Sequence, residues 1–340
     1  MNVVVTGATS FIGAVTAGRL LRQGCRVCAV VRPGSKNLGH LWDCVPEDGK
    51  DRLLVVPLHM EQIEELGSIL GKKEAGVPAA GSGRAVAGGC ADGAGKAADG
   101  CCWDAWVQIG WDGAGSDNRM KRDVQQANVR NSLAAVRAAS GLGCGRFLFT
   151  GSQAEYGIHR SLITEETPCN PVSEYGKAKA DFANLAKELC KSLKMEYIHT
   201  RIFSVYGPGD HPWSLVNTCL ATWMQGGHME LGECTQKWNF LYIEDAAAAI
   251  ICLLTEGRPG VYNIAGEDTR VLREFIEEMY RLLGSRGSYT YGTRKPNAEG
   301  PASLIPDISK LKAETGWRPV TSFTEGIYET MHSLREKASR

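Results

Sequence analysis

Apolar and polar positions alternate along the chain in the manner of strands joined by amphipathic helices. Residues 2–6 form a short apolar run, and Phe11, Val15 and Leu21 then recur on one helical face before Gly24. The same pattern predicts strands at 26–31, 53–56, 104–109, 146–150 and 196–203, with helices at 61–70, 121–140 and 173–193. Strands that alternate with helices of this length predict an α/β fold with a doubly wound parallel sheet.

Beyond about residue 208 the pattern changes to loops and shorter elements. It predicts helices near 214–225, from 245 and at 271–283, strands at 238–243 and 260–266, and a closing segment PDISKLKAETGWRP. We therefore predict a main domain at 1–207 and a smaller, mostly C-terminal lobe at 208–340. This lobe is expected over the carboxyl edge of the sheet, where such folds bind ligands.

One segment interrupts the alternation. Residues 71–102 contain 9 Gly and 9 Ala, with no period and almost no large side chains. A segment of this composition cannot bury enough apolar surface to offset its ordering entropy. We predict a flexible surface insertion there.

Composition and charge exclude several classes of protein. The 340 residues are 43% hydrophobic and 22% charged, which is ordinary globular usage and excludes wholesale disorder. Lys plus Arg equals Asp plus Glu at 38 each, so the chain has no cationic excess for nucleic acid. No run approaches the roughly 20 apolar residues of a membrane span, and the N-terminus does not read as a signal peptide. Because the cysteines are mostly scattered singly in apolar runs, and none has a matching set of metal ligands, we expect a cytoplasmic protein without a metal.

The turn between the first strand and the first helix reads TGATSFIG over residues 6–13. Glycines in such a turn let the backbone approach a pyrophosphate, which the positive N-terminus of the helix then stabilises. The expected cofactor-binding residues of this turn are Gly7, Thr9, Ser10, Phe11, Ile12 and Gly13.

The end of the second strand indicates which dinucleotide is bound. An acidic residue there would bind the ribose diol of NAD, whereas arginine can pair with a 2′-phosphate. The strand ends at Val31 and Arg32 without a carboxylate, and Ser35 follows as a second phosphate contact. This pattern favours NADP(H) and leaves NAD open.

Three side chains carry candidate chemistry. Tyr175 and Lys179 are four residues apart in a predicted helix, so they share a face, and an ammonium near a phenol favours proton release from it. Ser152 follows a buried strand at the edge that also holds the glycine turn, where a hydroxyl can donate to a carbonyl oxygen. We predict that these three residues form a catalytic site.

Five motifs in this order make the chain resemble the extended short-chain dehydrogenase/reductases, in the nucleotide-sugar epimerase/dehydratase/reductase branch. They are TGATSFIG, SQAEYG, YGKAK, RIFSVYGPGD and WNFLYIEDAAAAI, and the match covers almost the whole chain outside 71–102. The resemblance implies a Rossmann fold and a Ser-Tyr-Lys triad at Ser152, Tyr175 and Lys179. It also implies hydride transfer between a nicotinamide and a sugar carbon, usually carbon 4, of a nucleotide sugar. Relatives pack two long helices into a four-helix bundle, which implies a homodimer here.

The resemblance also places cofactor and substrate residues. Relatives commonly end strand four with His and two Ala, whereas this chain reads Gln108-Ile109-Gly110-Trp111-Asp112. Gly110 is expected beside the cofactor, while Trp111 and Asp112 are expected to alter the floor of the sugar pocket. The resemblance places further substrate contacts at Gln153, Ser204, Lys237 and Arg294. It also implies a structural role for Asn128.

The residues leave three functions open. A 4-keto-sugar reductase that consumes NADPH is favoured by Arg32, and a 4-epimerase that retains NAD is the alternative. The 4,6-dehydratases of the family place Asp-Glu after the triad hydroxyl, where this chain has Gln153 and Ala154, so water elimination is not expected. A non-catalytic dinucleotide sensor ranks below both enzymes, because such proteins usually lose the Tyr or the Lys.

Overall fold

The computed structural model describes residues 1–74, 102–115, 118–294 and 303–339. Most of the insertion predicted at 71–102 lies outside these residues. The strands are β1 Asn2–Thr6, β2 Arg26–Val31, β3 Leu53–Pro57, β4 Ala105–Gln108, β5 Arg146–Ser152, β6 Glu196–Ile202, β7 Ser204–Tyr206, β8 His228–Glu230, β9 Lys237–Tyr242, β10 Gly260–Ile264, β11 Thr269–Val271 and β12 Ser288–Thr290. The helices are α1 Phe11–Arg22, α2 Leu38–Cys44, α3 Leu66–Glu74, α4 Arg122–Gly141, α5 Glu174–Ser192, α6 Leu215–Met224, α7 Ile243–Glu256, α8 Leu272–Leu282, α9 Ser309–Thr315 and α10 Phe323–Ser339. Short 3₁₀ segments occupy Glu47–Arg52, Met60–Glu65 and Gln153–Glu155.

The central sheet has the order β3-β2-β1-β4-β5-β6-β10 among the described residues, and all neighbours are parallel. This arrangement confirms the predicted doubly wound α/β fold. The strand order reverses between β1 and β4, whose last residues Thr6 and Gln108 lie side by side. In sheets of this kind the crevice outside such a reversal is the usual place for a ligand.

Each face of the sheet is covered by its own apolar core. Alternate residues along the strands enter opposite cores, because successive side chains of a strand point to opposite faces. Cys25, just before β2, belongs to one core and Cys28, within β2, to the other. No disulfide forms among the cysteines in the described part of the chain.

The chain past residue 208 does not stay in one unit. β7, β9 and β11 form a three-stranded sheet, β8 pairs with β12, and α6, α8 and α10 pack around them. β10 and α7, however, return to the main body, where β10 pairs with β6 and α7 packs on α1. The division at 207/208 as a domain boundary stays a prediction.

Three helices, α2, α9 and α10, were not predicted from the pattern. α2 has seven residues and buries only Leu41. α10 is longer and buries Phe323, Ile327 and Met331, which are spaced four apart and face the smaller lobe. Within the described ranges, no helix combines the length and apolar character that crossing a bilayer requires.

The side-chain amide of Gln108 connects the ends of β1 and β4 below the crevice by hydrogen bonds. Its Oε1 accepts from the Thr6 hydroxyl and from the Trp106 indole, each at 3.0 Å, and its Nε2 donates to the Gly110 carbonyl at 3.0 Å. Thr150 on β5 also donates to the Gln108 backbone carbonyl at 3.0 Å. Thr6 and Trp106 are fully buried like Gln108, so neither of these two donors has water as a substitute.

We predict that Gln108→Leu destabilises the protein by about 2 to 4 kcal/mol, because it strands two buried donors without an acceptor. The free energy of unfolding from urea titration measures this loss. The matched control is Gln62→Leu, the same substitution at an exposed position, which should change stability by about 0.5 kcal/mol or less. Equal stabilities for the two variants would contradict the role given to Gln108.

Candidate active site

The glycine turn after β1 is too tight for side chains at two of its positions. Gly7 has φ 64°, and a Cβ on it would lie 2.8 Å from the backbone nitrogen of Gly110. A Cβ on Gly13 would lie 2.2 Å from the Gly7 carbonyl oxygen. The close packing of this turn against the end of β4 therefore requires glycine at both positions.

Ser10 caps α1. Its hydroxyl accepts from the backbone N–H of Gly13 at 3.1 Å, and its own N–H donates to the Gly7 carbonyl at 2.9 Å. The helix N-terminus keeps its partial positive charge beside the turn, which is compatible with a pyrophosphate there.

Two adjoining cavities, of about 500 and 780 Å³, follow the carboxyl edge of the sheet on either side of this turn. Among the predicted residues, the first is lined by Gly7, Thr9, Ser10, Arg32, Ser35, Gly110 and Trp111. The second is lined by Ser10, Phe11, Ile12, Arg32, Trp111, Ser152, Tyr175 and Lys179. Gly13 lies behind the turn, where it sets the shape of the cavity and does not line it. Together the cavities form one extended crevice along the sheet edge. Their volumes lie in the range of ligand pockets.

Arg32 pairs with Asp112 across the mouth shared by the two cavities. Both side chains are more than half exposed. Asn128 holds Asp112 by accepting from its N–H and donating to its carbonyl, both at 2.8 Å. Nearby, the hydroxyls of Thr9 and Ser35 lie 3.0 Å apart. The cationic strand end predicted for a 2′-phosphate is thus present, with a carboxylate as its partner.

Ser152 ends β5 and caps the short 3₁₀ segment that follows. Its Oγ accepts from the Ala154 N–H at 3.2 Å, and its backbone N–H donates to Glu155 at 2.8 Å. Because the oxygen is held as an acceptor, the hydroxyl proton is available for donation into the cavity. This is the orientation needed to hold a substrate oxygen.

Tyr175 and Lys179 both face the cavity from α5, as their spacing predicts. The Tyr175 ring is buried, and the guanidinium carbon of Arg119 lies 4.3 Å from its centroid. Lys179 is 3% exposed and donates to the Thr150 carbonyl at 2.8 Å. Burial lowers the pKa of Lys179 to about 7, because removal from water disfavours the ammonium. A proton can therefore be held or released at this lysine near neutral pH.

Trp111 covers Lys179 as well as lining both cavities. Its ring centroid lies 4.1 Å from the Lys179 Nζ, and its ring meets Tyr175 edge-on at 6.4 Å. The Trp111 Nε1 donates to Gln125 on α4 at 2.8 Å, which fixes the indole plane. Trp111 thus encloses the Lys179 ammonium and offers it an aromatic face.

Four predicted substrate residues are not brought to this crevice by the described part of the chain. Gln153 is half-buried next to Ser152, and Ser204 lies in β7 between two residues that do line the cavity. Lys237 is exposed at the start of β9, and Arg294 is exposed beyond β12. Their substrate roles stay predictions. No three His, Cys, Asp or Glu residues among those described are grouped to hold a metal ion.

Sequence reasoning did not single out an aromatic pair at the mouth of the cavity. His211 and Trp213 stack with their centroids 4.6 Å apart and their planes 12° apart, and both line the crevice. Trp213 is 66% exposed. The signal was present in HPW directly after YGPGD, where an aromatic follows a glycine-rich turn at the sheet edge.

Comparisons with known proteins agree with this geometry. Residues 104–265 match the NAD dependent epimerase/dehydratase family. A curated dTDP-glucose 4,6-dehydratase from Xanthomonas campestris is 28% identical over 200 residues, which are 55% of this chain and 56% of that protein. A dTDP-4-dehydro-6-deoxyglucose reductase from Escherichia coli is 26% identical over 226 residues, which are 64% of this chain and 71% of that protein. The chain thus spans little more than half the length of some curated relatives that it matches.

Solved structures resemble the whole fold. A UDP-glucose 4-epimerase from Thermotoga maritima, solved with UDP-glucose, has a TM-score of 0.78 and covers 99% of this chain with 100% of its own. At 19% identity this likeness shows the fold alone. The sequence matches show a similarity to the NAD dependent epimerase/dehydratase family over residues 104–265.

We predict that Gly13→Ala raises the Kd for the nicotinamide dinucleotide by about 5- to 150-fold, since opening the turn costs about 1 to 3 kcal/mol. Quenching of intrinsic tryptophan fluorescence measures the affinity. Gly141→Ala is the control, because a Cβ there meets open space at the end of α4. Unchanged affinity in the Gly13 variant would contradict a dinucleotide at this turn.

Proposed function

We propose that this chain belongs to the NAD dependent epimerase/dehydratase family and is an NAD(P)-dependent oxidoreductase that acts at carbon 4 of a nucleotide sugar. The observation that carries the proposal is the presence of Ser152, Tyr175 and Lys179 in a cavity continuous with the one beside the glycine turn. A nicotinamide bound there supplies or accepts the hydride. A 4-keto-sugar reductase is our first choice.

The three side chains divide the proton chemistry among them. Tyr175 gives a proton to the carbon-4 oxygen of a keto sugar, or takes one from the corresponding alcohol. The Lys179 ammonium stabilises the phenolate that remains, and Ser152 donates a hydrogen bond to the reacting oxygen. Trp111 excludes water from Lys179, so its charge acts through a medium of low polarity.

A 4-epimerase is the second candidate. It would use the same residues, oxidise carbon 4, let the keto sugar rotate and return the hydride to the other face. Arg32 favours the reductase, because an arginine at this strand end suits NADP(H), the cofactor that a reductase consumes. Retained NAD remains the alternative.

Dehydration is disfavoured by the residues after Ser152. Gln153 and Ala154 provide no acid to protonate a departing hydroxyl. Glu155 is fully buried and bonded to the Ser152 backbone, His199 and Arg201. A non-catalytic sensor ranks last, because both Tyr175 and Lys179 are retained.

A homodimer is the proposed assembly and the cytoplasm the proposed location. α4 and α5 pack against each other. Leu185 is half exposed on α5, so two such pairs would bury an apolar position in a four-helix bundle.

We predict that Tyr175→Phe lowers kcat by about 10²-fold or more, because it removes the group that transfers the proton. The Kd of the dinucleotide should change little. The assay supplies candidate 4-keto nucleotide sugars to the protein. It follows the absorbance of the nicotinamide and analyses the sugar product. Steady oxidation of NADPH supports the reductase, and an isomerised sugar without net cofactor change supports the epimerase. Near-normal turnover in the variant would remove Tyr175 from the mechanism.

We predict that Arg32→Asp shifts the ratio of kcat/KM for NADP(H) over NAD(H) towards NAD(H) by about 10- to 100-fold, through loss of a charged hydrogen bond. Asp112→Asn should shift the ratio the other way, since it frees Arg32 from its partner. Lys50→Asp, an exposed change of equal charge away from both cavities, is the control. An unchanged ratio in the Arg32 variant would refute the assignment of the strand end.

A further inference from the structure

A buried ionic cluster lies behind Ser152, and the proposed mechanism does not use it. Its centre is Glu155, which is fully buried and accepts from the Ser152 N–H at 2.8 Å. His199 Nε2 lies 2.8 Å and Arg201 Nε 3.1 Å from the other carboxylate oxygen. His199 also contacts the Tyr197 hydroxyl at 3.1 Å through Nδ1. One carboxylate thus connects β6 to the backbone of the candidate catalytic serine.

The neighbouring strands are shaped to admit this carboxylate. β5 and β6 pair in a register that sets Phe149 opposite His199 and Gly151 opposite Arg201. A Cβ on Gly151 would lie 2.4 Å from the Glu155 Oε1 and 2.5 Å from the Thr200 carbonyl oxygen. The position before the catalytic serine must therefore be glycine if the carboxylate is to reach the backbone.

The contacts of the cluster keep Glu155 charged. Burial raises the pKa of Tyr197 well above its usual value, so its hydroxyl keeps the proton beside His199 Nδ1. Burial by itself would raise the pKa of Glu155, but the contacts to His199 and Arg201 hold it below its usual value. Glu155 is therefore an anion held by His199 and Arg201.

This anion also acts on Lys179. Burial lowers the pKa of Lys179, the charge of Glu155 opposes that lowering, and Arg119 adds to it. Tyr175 lies on the same helix as Lys179, and its ring centroid is 5.6 Å from Nζ. The charged or titratable groups that face Glu155 are Cys169, Lys179, Tyr197, His199 and Arg201.

We propose that Glu155 is a positioning residue for the site: it holds the Ser152 backbone, two residues along β5 from the Thr150 carbonyl that accepts from Lys179, and its buried negative charge favours the ammonium form of Lys179. The inference rests on the proposed function for its catalytic meaning. The coupling between Glu155 and Lys179 is a property of the folded chain and needs no substrate.

The test measures the protonation of Lys179 directly. The purified protein is labelled with trace acetic anhydride over a series of pH values, and acetylation of Lys179 is followed by mass spectrometry. Only the neutral amine reacts, so the midpoint of labelling reports the pKa. Glu155→Gln should lower this midpoint by about one pH unit, because the anion that favours the ammonium is lost. The opposite charge change, Arg201→Gln, should raise it, because Glu155 then lacks its cationic partner.

Thr200→Val is the matched control. It removes a buried hydroxyl that donates to the Phe149 carbonyl at 3.1 Å between the same two strands, and changes no charge. Its midpoint should equal that of the unmodified protein. A merely structural role for Glu155 predicts that all three variants lose stability while the midpoint stays in place.

Each outcome decides the proposal. An unchanged or raised midpoint in folded Glu155→Gln overturns it. If that variant does not fold, Arg201→Gln decides, and a midpoint that does not rise overturns the proposal equally. Absence of turnover in the unmodified protein with every nucleotide sugar tried would count against the proposed function alone, because labelling is independent of activity.

Discussion

The burial of one ammonium group is the constraint on which the candidate site depends. Lys179 lies 3% exposed between the Thr150 carbonyl and the ring faces of Trp111 and Phe149. Desolvation of a cation is costly unless hydrogen bonds, aromatic faces or an opposite charge offset it. Here all three are present, the charge being that of Glu155. Burial thus lowers the pKa of Lys179 to about 7, and this ammonium lies beside the phenol of Tyr175.

The second constraint is the close approach of the β1 turn to the end of β4. Gly7 and Gly110 pack backbone against backbone, and the fully buried Gln108 holds both strand ends from below. Thr150 links this part to the triad, since its hydroxyl bonds Gln108 and its carbonyl bonds Lys179. The glycine turn beside the first cavity and Lys179 in the second cavity therefore share one hydrogen-bonded framework.

Much of this arrangement could be predicted from local patterns. The bounds of β1 and β2 agree with the apolar runs, and the glycine turn, Tyr175, Lys179 and Ser152 all reach the crevice. Their positions follow from strand ends and helical spacing, which are local properties. α10 was missed although Phe323, Ile327 and Met331 recur every four residues and Ser322 and Glu325 form a capping box at its start.

Contacts between residues far apart in the chain could not be predicted from the sequence. Nothing local indicates that Asp112 pairs with Arg32, or that β10 returns to the central sheet after the smaller lobe has begun. Glu155 reads as a displaced acid in SQAEYG, and only the β5–β6 register brings it to His199. Lys237 and Arg294 were expected from the family resemblance; both are exposed and neither lines the two cavities, so their roles stay predictions.

The most direct measurement is a crystal structure of the protein soaked with an oxidised nicotinamide dinucleotide. The account predicts the pyrophosphate against the turn at residues 7–13 and the nicotinamide beside Tyr175. A sugar carbon bound for hydride transfer would then lie within about 3.5 Å of the nicotinamide carbon with which it exchanges the hydride. A dinucleotide bound elsewhere, or one whose nicotinamide points away from Ser152 and Tyr175, would contradict the account.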